Sequence, residues 1–415
     1  MKTSNTFQKF NILIILIIFI FIIINLLYWI SFTQYSWKGE RGDLSRIGYI
    51  YIDKYPICST QLNSDKSVVD FSDYLNNPSS VDIIIFGDSF SQAYGINSYQ
   101  NHIINNTNYS IVNIKPYKAY NSFDTFTIFY NSGLIDEIKP KYVIIEQVER
   151  VCEYTFLEPK NIALNETREE ILKQYSDREI QFPISINSLP GSQLNRVTIN
   201  NDSPNNSQSS NTKISSILFN LTQTGLSFPP YINFIKNKTN DRNNPQIDVI
   251  LGENLNYFEN FFSYAIFQHS VDKKVYKFRL SKPMFSSVTD DKTLLVYCED
   301  IDNLNKSGET GIVNLNTYLN FMSQKLKERN IKLYFMPVVN KYNLHYNFIE
   351  NNPYPPSNFF EKLRKTDKDY TFIDTKEILI NHVDNGEIDL WSVGDTHWIW
   401  PSPEYVADSI NFTQT

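Results

Sequence analysis

The sequence predicts an α/β protein with a mainly parallel β-sheet, joined to one N-terminal membrane-spanning helix. Nearly continuous apolar runs, typical of strands buried on both faces, occur at residues 81–86, 111–114, 142–145 and 331–339. A segment with helical spacing, residues 312–329, lies directly before the last run. Strands that alternate with helices indicate a layered sheet with right-handed crossovers.

The N-terminal segment is the most apolar part of the chain. Residues 12–30 are almost all Ile, Leu or Phe, and as a helix they would span roughly 28 Å, about one hydrocarbon core. Lys9 flanks one end, and Tyr28 and Trp29 begin an aromatic belt at the other. The alternative is a cleaved signal peptide, whose apolar part would be shorter and would end in small residues. We expect an uncleaved anchor with the body of the protein outside the cytoplasm.

Composition limits the classes of function. The chain has 415 residues, 41% of them hydrophobic, which is enough for a sizeable core. With 38 basic and 45 acidic residues, its formal net charge of −7 is a poor match for a phosphate backbone, so we expect no nucleic-acid binding. The cysteines, Cys58, Cys152 and Cys298, are too few for a disulfide framework, although one bridge could form.

Five segments organise the chain. Residues 1–32 form a cytoplasmic tail and the transmembrane anchor, and residues 33–80 form a connecting segment. Residues 81–151 and 311–415 are expected to be the two halves of the α/β domain. Residues 152–310 differ in composition, and we interpret them as a large insertion into that domain.

The expected insertion has two features of its own. Residues 200–211 are a low-complexity run rich in Asn and Ser that need not pack. Residues 257–267 are dense in Tyr and Phe at helical spacing. That pattern is more typical of an insertion core than of a platform for sugar rings.

A Gly-Asp-Ser motif directly follows the first apolar run. In Phe86-Gly87-Asp88-Ser89-Phe90 the serine comes at the C-terminal end of a predicted strand, the edge at which open α/β folds bind ligands. Gly87 permits a tight turn, and the backbone N–H of Ser89 can face a developing oxyanion. Ser89 is therefore a candidate nucleophile.

A second motif, near the other end of the chain, supplies what a serine nucleophile needs. A serine hydroxyl requires a general base, and the base requires a carboxylate that fixes its tautomer. Asp395-Thr396-His397 offers both groups two residues apart, and none of the other four histidines has an acid at that spacing. Ser402-Pro403 follows and predicts a helix start, with Ser402 as the N-cap.

Together these motifs resemble the SGNH (GDSL-like) hydrolase superfamily, which has a Gly-Asp-Ser block near the start of the domain and an Asp/His block near its end. The resemblance covers residues 81–150 and 310–412. It implies a three-layer α/β domain with Ser89 as nucleophile, His397 as base and Asp395 as its partner. The single residue between Asp and His is more similar to the alginate O-acetyltransferase-like branch, which is typically exported or membrane-anchored and O-acetylates polysaccharides.

The resemblance is incomplete at the oxyanion hole, which the superfamily finishes with a glycine in its second block and an asparagine in its third. This sequence has Asn113 but no glycine in the second block and Glu149-Arg150 in the third. Asn113 and Arg150 are thus candidate donors beside the N–H of Ser89. For Arg150 the alternative is an ion pair with Glu146 or Glu149.

Three further side chains are candidates for contact with substrate. Lys341 and Tyr342 follow the last predicted strand and could line the same cleft, or form a solvated loop pair. Trp398 adjoins the histidine and offers a flat face to a pyranose ring, although packing around the loop is the more common role.

The resemblance and the anchor together imply a serine-dependent O-acetyltransferase that acts on a cell-surface or exported polysaccharide through an acyl-serine. It would sit in a bacterial inner membrane with its body in the periplasm, without a cofactor or metal, and a multi-pass membrane partner would deliver the acyl group. The alternatives are a carbohydrate esterase with the same triad, and a non-catalytic polysaccharide-binding or assembly protein.

Overall fold

The computed structural model describes residues 3–28, 42–50, 68–181 and 251–412, apart from four single positions (94, 119, 287 and 289). Predictions that concern Trp29, Cys58, most of the connecting segment and the Asn/Ser-rich run lie outside these residues. Of the other two cysteines, Cys152 is a buried free thiol and Cys298 a half-buried one.

Six parallel strands form the central sheet, which confirms the predicted α/β class. Every side chain of its three strands nearest the Gly-Asp-Ser motif is buried, so both faces of the sheet are covered, as continuous apolar runs predict. The strands are β1 (Val69–Asp70), β2 (Ile83–Phe86), β3 (Ile111–Ile114), β4 (Tyr142–Val148), β7 (Lys332–Val338) and β8 (Thr371–Phe372).

The strand order β1-β3-β2-β4-β7-β8 creates a reversal beside β2. From β2 the chain moves to β3 on one side, where Phe86 pairs with Ile114, and then crosses to β4 on the other side, where Phe86 pairs with Ile145. Open α/β sheets bind ligands at the carboxyl ends of the strands at such a reversal. The Gly-Asp-Ser motif therefore stands where the fold favours a site.

Helices connect the strands, and their bounds follow. They are α1 (Thr3–Tyr28), α2 (Asp43–Ile47), α3 (Phe71–Asn76), α4 (Tyr99–Thr107), α5 (Ser122–Asn131), α6 (Leu134–Ile138), α7 (Glu149–Thr155), α8 (Arg168–Gln181), α9 (Leu251–Phe267), α10 (Cys298–Asp302), α11 (Gly308–Lys327), α12 (Lys341–His345), α13 (Phe359–Arg364), α14 (Thr375–Asp384) and α15 (Ser402–Asp408). The predicted helix at 312–329 corresponds to α11.

The start of α15 corrects one detail of the prediction. The helix begins at Ser402 and has Pro403 in its first turn, as expected, but the N-cap position is Pro401. The Ser402 hydroxyl donates instead to the carbonyl of Leu390, 2.7 Å away, and so ties the helix to the loop before it.

An antiparallel hairpin, β5 (Val275–Arg279) with β6 (Thr293–Tyr297), lies outside the main sheet and was not predicted. It is placed in the sequence between β4 and β7, which are neighbours in the sheet. Val275 and Phe278 nevertheless belong to the same hydrophobic core as the sheet. The hairpin therefore packs on the body of the protein.

Of the helices in the described ranges, α1 alone is long and apolar enough to cross a membrane, over Lys9–Leu26. Over residues 9–26, where burial is described, its apolar side chains are exposed, and the polar Asn25 is the one buried residue. Helix α9 contacts α1. The aromatic stripe at 257–267 was expected to form an insertion core. Tyr264 is buried, but for Phe261, Phe262 and Phe267 the expectation was wrong: they are 58%, 47% and 62% exposed, because only the opposite face of α9 packs on the body.

Candidate active site

A turn at the end of β2 presents Ser89, and it can form only because residue 87 is glycine. A Cβ atom on Gly87 would lie 1.9 Å from the Ser91 Oγ and 2.8 Å from Oε2 of Glu146. Real Cβ atoms essentially never come that close, so any other residue would displace Ser91 and distort the turn. The turn continues as a short 3-10 helix, Ser89–Gln92, and Ser89 itself is exposed.

Asp88 connects this turn by hydrogen bonds to the end of the neighbouring strand, β4. Its Oδ1 accepts a hydrogen bond from the Phe90 N–H at 3.0 Å. Its Oδ2 accepts from the N–H of Val148 at 2.9 Å and from the Gln147 side-chain amide at 2.7 Å. The carboxylate thus points into the protein, away from Ser89.

Glu146 supports the same turn from below. Its Oε2 accepts hydrogen bonds from the Asp88 N–H (3.0 Å) and the Ser91 hydroxyl (2.7 Å), and its Oε1 has no partner among the described residues. Burial and the nearby charge of Asp88 raise the pKa of Glu146 well above its ordinary value. The sequence suggested Glu146 only as a possible ion-pair partner of Arg150, and not as a support of this turn.

The loop that follows β8 and α14 brings a histidine to the serine. His397 Nε2 lies 2.7 Å from Ser89 Oγ, although the two residues are 308 positions apart. On the other side of the ring, His397 Nδ1 lies 2.5 Å from Asp395 Oδ1, which also accepts from the His397 backbone N–H at 3.0 Å. The three side chains therefore form a continuous hydrogen-bonded relay.

The electrostatics of the relay suit a base that must accept a proton. Burial lowers the pKa of His397, but the hydrogen bond to Asp395 and the charges of Asp395, Asp43 and Asp88 outweigh it, so the net shift is upward. Burial raises the pKa of Asp395, and the His397 contacts and the Asp43 N–H outweigh it, so that pKa is lowered. The arrangement favours an ionised aspartate beside a basic imidazole.

Aromatic side chains fix the orientation of the histidine loop. The ring of Phe90 packs on His397 with centroids 4.7 Å apart, and Trp398 packs edge-on against Phe90 at 5.2 Å. Trp391 pairs with Trp398 through a β-bridge and donates its indole N–H to the carbonyl of Thr396 at 3.1 Å. Trp398 is only 2% exposed, so it packs around the loop and offers no face to a sugar ring.

Lys341 also supports the loop, from beneath. Its ammonium donates to the carbonyl oxygens of Ser392 (2.6 Å), Val393 (2.8 Å) and Asp395 (3.1 Å), and its side chain is 1% exposed. Burial lowers its pKa to about 7, while the charges of Asp395 and Asp43 oppose that shift. Both expectations for Lys341, that it lines the cleft or belongs to a solvated loop pair, were therefore wrong, because the side chain is buried and its ammonium bonds to carbonyl oxygens inside the protein.

Tyr342 is likewise buried and does not reach the cleft. It is fully buried, and its hydroxyl donates to the carbonyl oxygens of Tyr354 (3.2 Å) and Pro355 (3.1 Å). It packs against Phe278 of the hairpin. Its side chain is thus part of the core and does not face the cleft.

The two side chains expected to complete an oxyanion hole are engaged elsewhere. The amide of Asn113 is buried and donates to the carbonyl of Ser91 at 2.9 Å. Arg150 pairs with Asp300 at 3.2 Å and with Glu299 at 3.8 Å, rather than with Glu146 or Glu149. The strand-end position suggested the correct type of role for Arg150, an ion pair, but not its partners.

The backbone N–H of Ser89 has no hydrogen-bond partner within the described ranges. An oxyanion formed on a substrate attached to Ser89 Oγ would therefore find one donor from the same residue.

The structure also brings the segment after the anchor to the site, which the sequence did not suggest. The carboxylate of Asp43 accepts from the Thr396 N–H at 2.8 Å and from the Thr396 hydroxyl at 2.6 Å. The Asp43 N–H donates to Asp395 Oδ2 at 3.2 Å. No sequence motif surrounds Asp43, so only the three-dimensional contact identifies it.

Asp43, Asp395 and His397 place possible metal-ligand atoms within 4.8 Å of one another, the one such cluster in the part of the chain described. Each of their four carboxylate oxygens already accepts a hydrogen bond, from backbone N–H groups, from Thr396 or from His397 itself. The cluster is thus held together by hydrogen bonds among its own residues and Thr396.

Comparisons of the chain with protein-family models, with curated proteins and with solved structures give no match. What can be said of function therefore depends on this geometry: an exposed serine, a histidine in hydrogen-bond contact with it and an aspartate behind the histidine, assembled at the reversal point of a parallel sheet.

Proposed function

We propose that this protein is a serine-dependent O-acyltransferase of the SGNH type, which transfers an acetyl group to a hydroxyl of a cell-surface or exported polysaccharide. The observation that carries the proposal is the Ser89–His397–Asp395 relay, with contacts of 2.7 Å and 2.5 Å and an exposed nucleophile. Such a relay is the arrangement that acyl transfer through a serine ester requires.

The residues have the following parts in the reaction. Ser89 Oγ attacks the carbonyl carbon of an acyl donor while His397 Nε2 takes its proton, and the N–H of Ser89 stabilises the oxyanion. The leaving group departs with that proton, and an acetyl-serine remains. A sugar hydroxyl then attacks the ester, gives its proton to His397 Nε2, and leaves as the acetylated sugar while Ser89 regains its proton. Asp395 keeps the Nδ1–H oriented and stabilises the imidazolium.

The topology supports the SGNH assignment. Without β1, the strand order is 2-1-3-4-5 in order of sequence, which is a common doubly wound order. The serine follows the first of those strands and the Asp/His loop follows the last, as in the superfamily the sequence resembles. Residues 152–310, which include the β5–β6 hairpin, would then be an insertion before the fourth strand.

The acyl donor must come from the membrane. With α1 as its anchor, the body would lie outside the cytoplasm, where acetyl-CoA is absent. Within the described ranges α1 is the one candidate span, and one span cannot conduct an acyl group. A multi-pass partner that delivers acetyl groups would meet this need.

A fluorophosphonate probe tests the proposal. The full chain in detergent should be labelled on Ser89, and Ser89→Ala should not. With a soluble acetyl ester as donor, added oligosaccharide should divert acetyl groups from free acetate to the sugar. Absence of label in a folded wild type would remove both enzymatic functions and leave the non-catalytic binding protein.

One observation favours the esterase as a second candidate. Ser89 is exposed, and the His397 side chain is 30% exposed, so water has access to an acyl-serine in this conformation. A transferase must keep water away from the ester. Acetate as the sole product at saturating oligosaccharide would establish the esterase in place of the transferase.

A further inference from the structure

We infer that Asp43 is a positioning residue of the site, and that the segment directly after the membrane helix completes the histidine loop. This inference rests on the proposed function, because it gives Asp43 its effect through His397. It adds a fourth side chain, from a part of the chain that no motif marks, to the Ser89–His397–Asp395 relay.

The contacts of Asp43 reach the first two residues of the Asp-Thr-His motif. Its two carboxylate oxygens hold the N–H and the hydroxyl of Thr396, at 2.8 Å and 2.6 Å. Its own N–H holds Asp395 Oδ2, the oxygen that His397 leaves free, at 3.2 Å. Removal of these bonds would free Asp395 to rotate away from the imidazole.

The backbone of the same segment is fitted closely to the loop. Gly42 has φ +79°, and a Cβ atom there would lie 2.3 Å from the Gly394 carbonyl oxygen and 2.7 Å from the Asp395 Cβ. The next contact along, Ser45 N–H to the Gly394 carbonyl oxygen, is 3.0 Å. A side chain at 42 would therefore displace the segment from the loop, and the left-handed φ disfavours one as well.

The charge of Asp43 also acts on the histidine. The charged groups that bear on His397 are Asp395 in its own loop, Asp43 from α2 and Asp88 from the turn after β2. Lys341, from α12, faces Asp395 and Asp43 and offsets part of their charge. Because Asp43 raises the pKa of His397, its removal should lower that pKa.

Two readouts on the full chain in detergent test the inference. The first is the rate of fluorophosphonate labelling of Ser89 as a function of pH. The second is the rate at which diethylpyrocarbonate modifies His397, measured by mass spectrometry. Only the neutral imidazole reacts, so the midpoint of this rate reports the pKa of His397 without requiring catalysis.

For Asp43→Asn we expect labelling to slow by about tenfold to a hundredfold and both midpoints to move to lower pH. Gly42→Val should slow labelling too, through displacement of the segment. Asp384→Asn, an exposed acid at the end of α14, should match the wild type in every measurement. A merely structural role for Asp43 would lower the rate without moving the midpoints.

The outcomes separate the two hypotheses. A wild type that is not labelled at Ser89 overturns the proposed function, while the His397 midpoint still tests Asp43. A labelled wild type with Asp43→Asn indistinguishable from it, in rate and in midpoint, overturns the inference. A lower rate with unmoved midpoints also overturns it.

A separate observation concerns α9, and from it we infer that the exposed face of this helix lies on the lipid surface. The face consists of Phe261, Phe262, Ile266 and Phe267, which are 47% to 66% exposed. Asn260, Ser263 and Tyr264 on the opposite face pack on the body, where Tyr264 donates to the carbonyl of Gly48 at 3.0 Å.

The neighbour of α9 identifies the occupant of this face. Helix α9 contacts α1, the candidate membrane span, so its apolar side chains belong to a helix that lies beside that span. A helix with one polar, packed face and one aromatic face is suited to the boundary between headgroups and acyl chains. A patch of this kind would otherwise be a liability for a secreted body.

Tryptophan fluorescence in lipid nanodiscs tests this surface. Phe262→Trp should gain an emission that brominated phosphatidylcholine quenches, measured against the same variant in unbrominated lipid and after subtraction of the wild type. Phe321→Trp, at a 38% exposed position on α11, serves as the matched control and should stay unquenched. Equal quenching at both positions, or none at 262, overturns the inference.

Discussion

The serine side and the histidine side of the site are built differently. Ser89 stands on a turn whose supports, Asp88 and Glu146, come from two adjacent strand ends. His397 stands on a loop supported by Lys341 and Asp43, which are 52 and 353 positions from the loop residues they hold. The first half is local to the sheet, whereas the second depends on distant parts of the chain meeting correctly. Substitutions at positions far away in the sequence should therefore disturb the histidine side more readily than the serine side.

The largest effect should come from the relay itself. Ser89→Ala removes the nucleophile and His397→Ala removes the base, so we expect turnover of an acetyl ester to fall by roughly 10⁴-fold in each. The double variant should be no worse than either single one, because the two act as a unit. Initial rates, with circular dichroism as the control for folding, check this; additive losses would contradict a shared step.

Asp395→Asn should have the second largest effect, and it tests the histidine side of the site alone. Without the carboxylate, the imidazole loses its tautomer control and the pKa of His397 falls, because the Asp395 hydrogen bond and charge raise it in the wild type. The rate should fall by roughly 10²- to 10⁴-fold. The rising limb of the pH–rate profile should move to lower pH; a profile that keeps its midpoint would mean that Asp395 does not act through His397.

Lys341→Met tests whether the histidine loop depends on its buried support. Three loop carbonyl oxygens would lose their donor, which costs about 1–3 kcal/mol for each buried group left unpaired. We expect a lower thermal unfolding midpoint and about a tenfold slower reaction. Lys325→Met, on an exposed surface of α11, is the matched control; equal behaviour of the two variants would show that Lys341 does not hold the loop.

The smallest effect should be Glu146→Gln on the serine side. Burial and the charge of Asp88 raise the pKa of Glu146, so the neutral carboxyl is favoured more in the folded protein than in the unfolded chain, and glutamine reproduces that neutral form. Since the folded state binds a proton that the unfolded state releases, the wild type loses stability as pH rises above the ordinary carboxyl range. Glu146→Gln should lack that slope in denaturant titrations and keep its activity. Glu146→Leu cannot accept hydrogen bonds from the Asp88 N–H or the Ser91 hydroxyl, so this variant should lose activity as well as the pH-dependent slope.

The same contrast explains what the sequence could and could not predict. Apolar runs and a Gly-Asp-Ser motif report local structure, so the four longer strands of the sheet and the place of Ser89 followed from them. Asp395 and His397 could also be predicted, because the base and its carboxylate partner lie within three consecutive residues. Asp43 and the roles of Lys341 and Arg150 were not, since each is defined by a partner far away in sequence. The sequence shows Lys341 only as a charged residue after a strand, which does not predict burial. Its burial depends on three carbonyl oxygens that come together only in the folded protein.

For the proposed membrane-anchored transferase, the close fit of Gly42 against Gly394 sets a maximum distance between the site and the bilayer. Helix α1 ends at Tyr28, and a fully extended chain from there to Gly42 could reach at most about 50 Å. Because Gly42 packs against the Asp395–His397 loop, the nucleophile can be little farther than that from the end of the helix. The proposed transferase would then modify a polymer only along the stretch that passes through this zone.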